Sequence, residues 1–124
     1  MRILLDTHLL LWALAKPSKL TAKARKQIDT GEIFVSAASI WEISIKSSLG
    51  KLDANPAEIL SAIEPAGFTL LPISGEHAAK VKELPPVHRD PFDRMLVAQA
   101  SVEPMILLTN DGALAGYGSL VSVA

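Results

Sequence analysis

The sequence predicts an α/β fold, with a central parallel sheet of about five strands and helices on both faces. Three observations predict it. Short apolar runs alternate with helical stretches along the whole chain, and short turns join them. Hydrophobic residues make up 49% of the 124 residues, enough for a buried core, and charged residues only 20%, which excludes a disordered chain. At this length the expectation is one domain spanning residues 1–124. The order of the strands in the sheet does not follow from the pattern.

Arg2–Leu5 is the first buried strand. Residues 7–15 form a helix ended by Lys16-Pro17, since the residue before proline avoids helical geometry. Thr21 opens a second helix over 21–29, closed near Gly31. Ile33–Val35 is a short strand. Ser36 then caps a helix over 37–49 that stops at Gly50. Residues 56–64 carry Ile59, Leu60 and Ile63 at helical spacing behind Pro56. Phe68–Leu71 is a strand, and Ser74 opens a helix over 75–83. Asp90-Pro91 starts a longer helix to about Val102. Met105–Leu108 is the fourth strand, 112–116 a short helix, and Leu120–Val123 the last strand.

Composition narrows the function classes. The chain has no cysteine, which excludes disulfides and thiolate metal sites and fits a reducing, cytoplasmic setting. The apolar start resembles a secretion signal, but Asp6 and His8 interrupt it. No run approaches the roughly 20 apolar residues of a membrane span. Net charge is −1, so no global basic signature marks a phosphate-binding surface. Five of the 13 acidic residues (Asp6, Glu42, Asp90, Asp93 and Asp111) fall in the motifs described next. Setting them aside leaves a surplus of about four positive charges elsewhere. Lys16, Lys19, Lys23, Arg25 and Lys26 cluster in one segment, read first as a solvated helix face.

Each candidate acid has a bland role beside a functional one. Asp6 ends the first strand, where it is either a helix cap or a carboxylate at the sheet crevice that binds ligands in such folds. Glu42 lies inside a helix on a mostly apolar face with Ala38, Ile45, Lys46 and Leu49; it either pairs with Lys46 or serves a site. Asp90 before Pro91 reads as a cap. Asp93 shares an apolar stripe with Leu96, Val97 and Ala100, where an unpartnered carboxylate is costly, so it reads as functional. Asp111, in Thr109-Asn110-Asp111-Gly112, is either a turn residue or a second Asp at a strand end. Convergence of such acids requires a cation. Mg2+ or Mn2+ bound by oxygen ligands would activate water for in-line phosphoryl displacement.

Other residues offer less. His8, His77 and His88 lack zinc-ligand spacing, and His8 reads as a surface residue of the first helix. Arg89 and Arg94 flank the Asp90–Asp93 turn, to hold phosphates or to pair with its acids. Trp12 and Trp41 read as core residues. There is no phosphate-binding glycine loop.

Four segments carry a resemblance over nearly the whole chain. They are Leu5-Asp6-Thr7-His8 with Leu10-Leu11-Trp12; Val35-Ser36-Ala37-Ala38-Ser39-Ile40-Trp41-Glu42-Ile43; His88-Arg89-Asp90-Pro91-Phe92-Asp93-Arg94-Met95-Leu96-Val97-Ala98-Gln99-Ala100; and Leu108-Thr109-Asn110-Asp111. With these the chain resembles the PIN-domain ribonucleases, in particular the VapC-like toxins of bacterial toxin–antitoxin pairs. The resemblance implies a three-layer α/β/α sandwich and Mg2+- or Mn2+-dependent cleavage of RNA. It also implies a homodimer and inhibition by a cognate antitoxin. By position, Asp6, Glu42, Asp93 and Asp111 are its acidic metal and catalytic site, with Asp90 as an accessory. Thr7 and Thr109 match small hydroxyl positions beside the acids, and Arg94 stands next to the third acid.

Two other readings compete. A phosphatase with an aspartyl nucleophile commonly carries a second Asp two residues on, but position 8 is His. A noncatalytic module binding RNA or a partner would not need clustered negative charge.

Overall fold

The computed structural model describes residues 1–124. Five strands form one sheet: β1 (Arg2–Leu5), β2 (Glu32–Ser36), β3 (Thr69–Leu71), β4 (Ile106–Thr109) and β5 (Val121–Val123). All neighbours are parallel, in the order β3-β2-β1-β4-β5. Six α-helices accompany them: α1 (Thr7–Ala15), α2 (Ala22–Thr30), α3 (Ala37–Ser48), α4 (Pro56–Ile63), α5 (Gly75–Lys80) and α6 (Pro91–Val102). Short 3-10 turns at Pro17–Lys19, Val81–Glu83 and Gly112–Tyr117 complete the chain.

Strand alternation builds the two cores. Ile3 and Leu5 point to one face with Ile33, Val35 and Leu108; Leu9 and Leu10 of α1, Ala24 of α2 and Ile63 of α4 cover them. Leu4, Phe34 and Leu107 point to the other face, against Leu96, Val97 and Ala100 of α6. Helix α3 reaches both cores, through Ile43 to the first and Ala38 to the second. The result is the expected three-layer α/β/α sandwich.

The strand order supplies what the sequence could not. β1 lies at the centre, paired with β2 on one side and β4 on the other, so the chain winds outward in both directions. The connections after β1 and β4 therefore diverge, leaving a crevice beyond their carboxyl ends, the position where open α/β sheets bind ligands. Asp6 follows β1 directly and Asp111 follows β4 by two residues.

Local chemistry explains the boundaries. Thr21, Ser36, Ser74 and Asp90 each accept a backbone N–H at the helix they open. Trp41 departs from expectation: it is 60% exposed, with its ring edge-on to Phe92 at 5.2 Å. The buried face of α3 is Ala38, Ser39, Glu42 and Ile43, which turns Trp41 outward. Leu49, grouped with that apolar face, is also exposed because it ends the helix. Trp12 is partly buried against the first core, as expected. No helix is long and apolar enough to cross a membrane.

Candidate metal centre and active site

The acids gather at the crevice, and their capping and pairing roles coexist with their place in it. Asp6 is nearly buried. Its Oδ1 accepts the Leu9 N–H at 2.8 Å, capping α1, while Oδ2 accepts the Thr109 hydroxyl. Thr109, fully buried on β4, also accepts the Asp111 N–H at 3.0 Å, so one hydroxyl ties the end of β1 to the turn after β4. Glu42 is brought in by α3. Its Oε1 accepts from Thr7 Oγ1 at 2.7 Å, and Ser39 Oγ lies 3.0 Å from that hydroxyl. Its Oε2 pairs with Lys46 Nζ at 2.7 Å. Thr7 and Thr109 thus each orient one acid.

At the start of α6, Asp90 Oδ1 accepts the N–H groups of Phe92 and Asp93, at 2.8 and 3.1 Å. That is a cap, reinforced by Pro91 at the first helical position. Asp93, the third residue of the helix, faces the crevice. Asp111 Oδ1 caps the following 3-10 turn through Ala113 N at 2.9 Å, and its Oδ2 turns toward His88.

His88 is not among the site residues expected from the sequence. Its Nε2 lies 3.8 Å from Asp93 Oδ2 and 3.7 Å from Asp111 Oδ2. One ligand atom from each of these three residues lies within 4.8 Å of the others. Its Nδ1, however, accepts the Asp90 N–H at 3.0 Å. A neutral imidazole that accepts at Nδ1 carries its proton on Nε2, so His88 presents a donor to the two acids rather than a free metal-binding nitrogen. Carboxylate oxygens are then the atoms that could hold a metal ion. A lone histidine in a proline-bounded loop gives no periodic signal; its place at the head of the third motif segment, two residues before Asp90, is the signal that pointed to it.

Arg94 reaches no acid. It donates to the carbonyls of Val81, Pro85 and His88 and to the Tyr117 hydroxyl, and Tyr117 Oη accepts the His88 N–H. The guanidinium thus braces the loop that delivers His88 and Asp90. Arg89 is exposed and makes no ion pair.

The electrostatics register the crowding. Burial, followed by the neighbouring Asp90 charge, pushes the Asp93 carboxyl up to about 7; Glu42 and Asp6 push it the same way, and His88 opposes them. Burial raises Asp6 as well, although hydrogen bonds from Thr109 and Leu9 pull it down. Its bond to Glu42 raises Lys46, helped by the charges of Asp90 and Asp93. The donor set therefore suits a hard divalent cation: carboxylate oxygens, no thiolate, and mutual repulsion that one lysine only partly offsets.

A doubly wound parallel sheet with carboxylates beyond the ends of its central strands defines an α/β protein whose acidic oxygens could hold a divalent cation. The chain belongs to the PIN domain family, a family of nucleases, which it matches over residues 3–119. Its fold is shared by a chain of VapBC2 from Rickettsia felis, solved bound to a DNA fragment from its promoter. That likeness has TM-score 0.70 and 17% identity and covers 100% of this chain and 98% of the other. FitAcB from Neisseria gonorrhoeae (0.66, 18% identity, 96% and 95% covered) is also similar. So is DNA-bound VapBC from Salmonella typhimurium (0.60, 18% identity, 89% and 86% covered). A curated relative, the ATP-dependent rRNA helicase SPB4 of Gibberella zeae, is 47% identical over 58 residues. The match takes in 47% of this chain but spans 8% of the helicase's length.

Proposed function

We propose that this chain is a metal-dependent endoribonuclease that acts as the toxin of a toxin–antitoxin pair. The observation that carries the proposal is the crowding of carboxylates around Asp93, which meets Asp111 across His88 and feels the charges of Asp90, Glu42 and Asp6, so that its carboxyl is pushed up to about 7. The proposed ion is Mg2+ or Mn2+, held by oxygens of these four acids. When bound, it would lower the pKa of a coordinated water and stabilise charge on the phosphate being cut.

The chain's own residues do the rest. Asp6 is fixed by the Leu9 amide and the Thr109 hydroxyl, and Glu42 by Thr7, so neither acid must reorganise to meet a ligand. Asp93, which holds a proton up to about pH 7, would have to release it to offer both oxygens to a cation. His88 Nε2–H, aimed between Asp93 and Asp111, is a hydrogen-bond donor for a phosphate oxygen at the crevice. Asp90 caps the helix that presents Asp93, and Arg94 holds the loop beside it.

The protein partners we propose are a cognate antitoxin and a second copy of the chain, in the cytoplasm. Support comes from the VapC-like motifs, from the shared fold of the VapBC chains, and from exposed apolar side chains. Trp41, Leu60, Leu70 and Ile73 line two clefts of about 460 Å3 that share Trp41.

The test is induced expression of the native chain and of Asp93→Asn in a bacterial host, alone and with any small reading frame found beside its gene. Growth arrest by the native chain only, relieved by co-expression of such a frame, is expected. Arrest by both chains alike would remove the acid cluster from the mechanism.

A further inference from the structure

Beside the acids lies a second cleft, of about 280 Å3, between α1 and the end of α3. Thr7 and Glu42 form its side toward the crevice, Leu11, Ile43 and Leu52 its apolar wall, and His8, Lys46 and Lys51 its polar rim. We propose that it binds a backbone phosphate of the RNA strand, neighbouring the phosphate that is cut. The proposal rests on the ribonuclease reading above and names a subsite within it.

The carrying observation is how α3 ends. Gly50 adopts φ +69°, its N–H bonds to Ser47 O at 3.1 Å, and the Lys51 N–H bonds back to Lys46 O at 2.9 Å. This is a Schellman turn, which brings the two residues of that last bond together and is commonly closed by an apolar contact. Here both residues are lysines, so the turn concentrates positive charge where a helix end would ordinarily seek apolar cover. Lys46 is held by Glu42 and Lys51 has no ion-pair partner, so an anion lying between the two side chains meets a positive charge that the chain itself leaves unpaired.

The donors are available. Lys46 Nζ has three N–H groups and Glu42 Oε2 accepts from one face of it. Lys51 is exposed and forms no ion pair, and the exposed His8 side chain makes no hydrogen bond. Phosphate contacts by such groups position a strand without reading its sequence. The cleft opens onto Glu42, so its occupant is continuous with whatever sits at the acids, as the next phosphate of a single strand would be. An acidic segment of a protein partner is the competing occupant and has no comparable reason to run into a cluster of carboxylates.

The test measures binding of a fluorescein-labelled single-stranded RNA to the full chain by anisotropy, in EDTA and with Mg2+, across a salt series. Native, Lys51→Gln and Lys51→Arg are compared. Lys51→Gln is expected to weaken binding about 5–10-fold at low salt and to reduce the salt slope by about 0.7, the share of one phosphate contact on a single strand. Lys51→Arg keeps the charge and is expected to bind within about twofold of native. Cleavage with Mn2+ should show a raised KM at nearly unchanged kcat for Lys51→Gln.

Equal affinity and equal slope for native and Lys51→Gln would overturn the subsite, and if both still cut RNA, the ribonuclease reading survives alone. A native chain that binds RNA through Lys51 yet never cuts it would overturn the ribonuclease reading and leave the cleft standing. RNA binding absent in both conditions also overturns the subsite. So does an oligoglutamate peptide that needs Lys51 while RNA does not.

Discussion

Replacing Asp93 with Asn should stabilise the metal-free protein above neutral pH. The Asp93 carboxyl titrates near 7 in the fold against an ordinary 3.8, chiefly because burial and the Asp90 charge disfavour its ionised form. Between about pH 4 and 7 the folded chain holds a proton that the unfolded chain has released, so stability falls as pH rises through that window. At about 1.4 kcal/mol per pH unit, the gap corresponds to at most about 4.5 kcal/mol. Water reaching the 24% of the side chain that is exposed reduces this to about 2 kcal/mol. Asn gives up the attraction between a carboxylate and the start of α6, about 0.3–1 kcal/mol, which is the smaller effect. Asp93→Asn should therefore exceed native by about 1–3 kcal/mol at pH 8 in EDTA, and the difference should vanish toward pH 4. Urea unfolding in EDTA at pH 4 to 8 reads this directly. Native equal to or more stable than Asp93→Asn at pH 8, or a difference independent of pH, would refute the reasoning.

Three further outcomes are expected. Saturating Mn2+ should raise the stability of native protein by about 2.7 kcal/mol at one hundred times its Kd, an effect that EDTA reverses and Asp93→Asn largely loses; thermal unfolding with and without metal checks it. Thr109→Val removes the hydroxyl from buried Asp6 Oδ2 at nearly constant volume and should cost about 1–3 kcal/mol in urea unfolding, because it strips a donor from a buried carboxylate. Asp90→Asn keeps a good cap, so stability should change by less than about 0.5 kcal/mol from the cap itself. The same change removes a charge that raises Asp93, so the Asp93 titration followed by NMR should move toward lower pH; no movement would deny Asp90 its electrostatic role.

The parts of the fold that local chemistry decides were legible in the sequence. Thr21, Ser36, Ser74 and Asp90 cap the helices they were expected to open, because a cap needs only its own side chain and the next turn. The apolar runs of β1 and β4 announced buried parallel strands, hence two acids at strand ends. What depends on tertiary packing was not legible. Strand order, which turns those two ends into one crevice, is set by how the helices cover the sheet. His88 enters the site on a loop held by Arg94 and Tyr117, contacts with no sequence periodicity. Trp41 is apolar in type yet exposed by its angle on α3, which residue type does not encode. For Asp6, Glu42 and Asp111, the choice between a local role and a place at the crevice dissolves, because a carboxylate has two oxygens and several lone pairs.

Incubation of purified native chain and Asp93→Asn with total bacterial RNA, with Mn2+, Mg2+ or EDTA, followed by mapping of new 5′ ends, tests the acid cluster as the site of RNA cutting. Discrete new ends with native protein and metal, absent with EDTA and with Asp93→Asn, are the result predicted. Identical ends from Asp93→Asn or in EDTA, or none from folded native protein with metal, would contradict it.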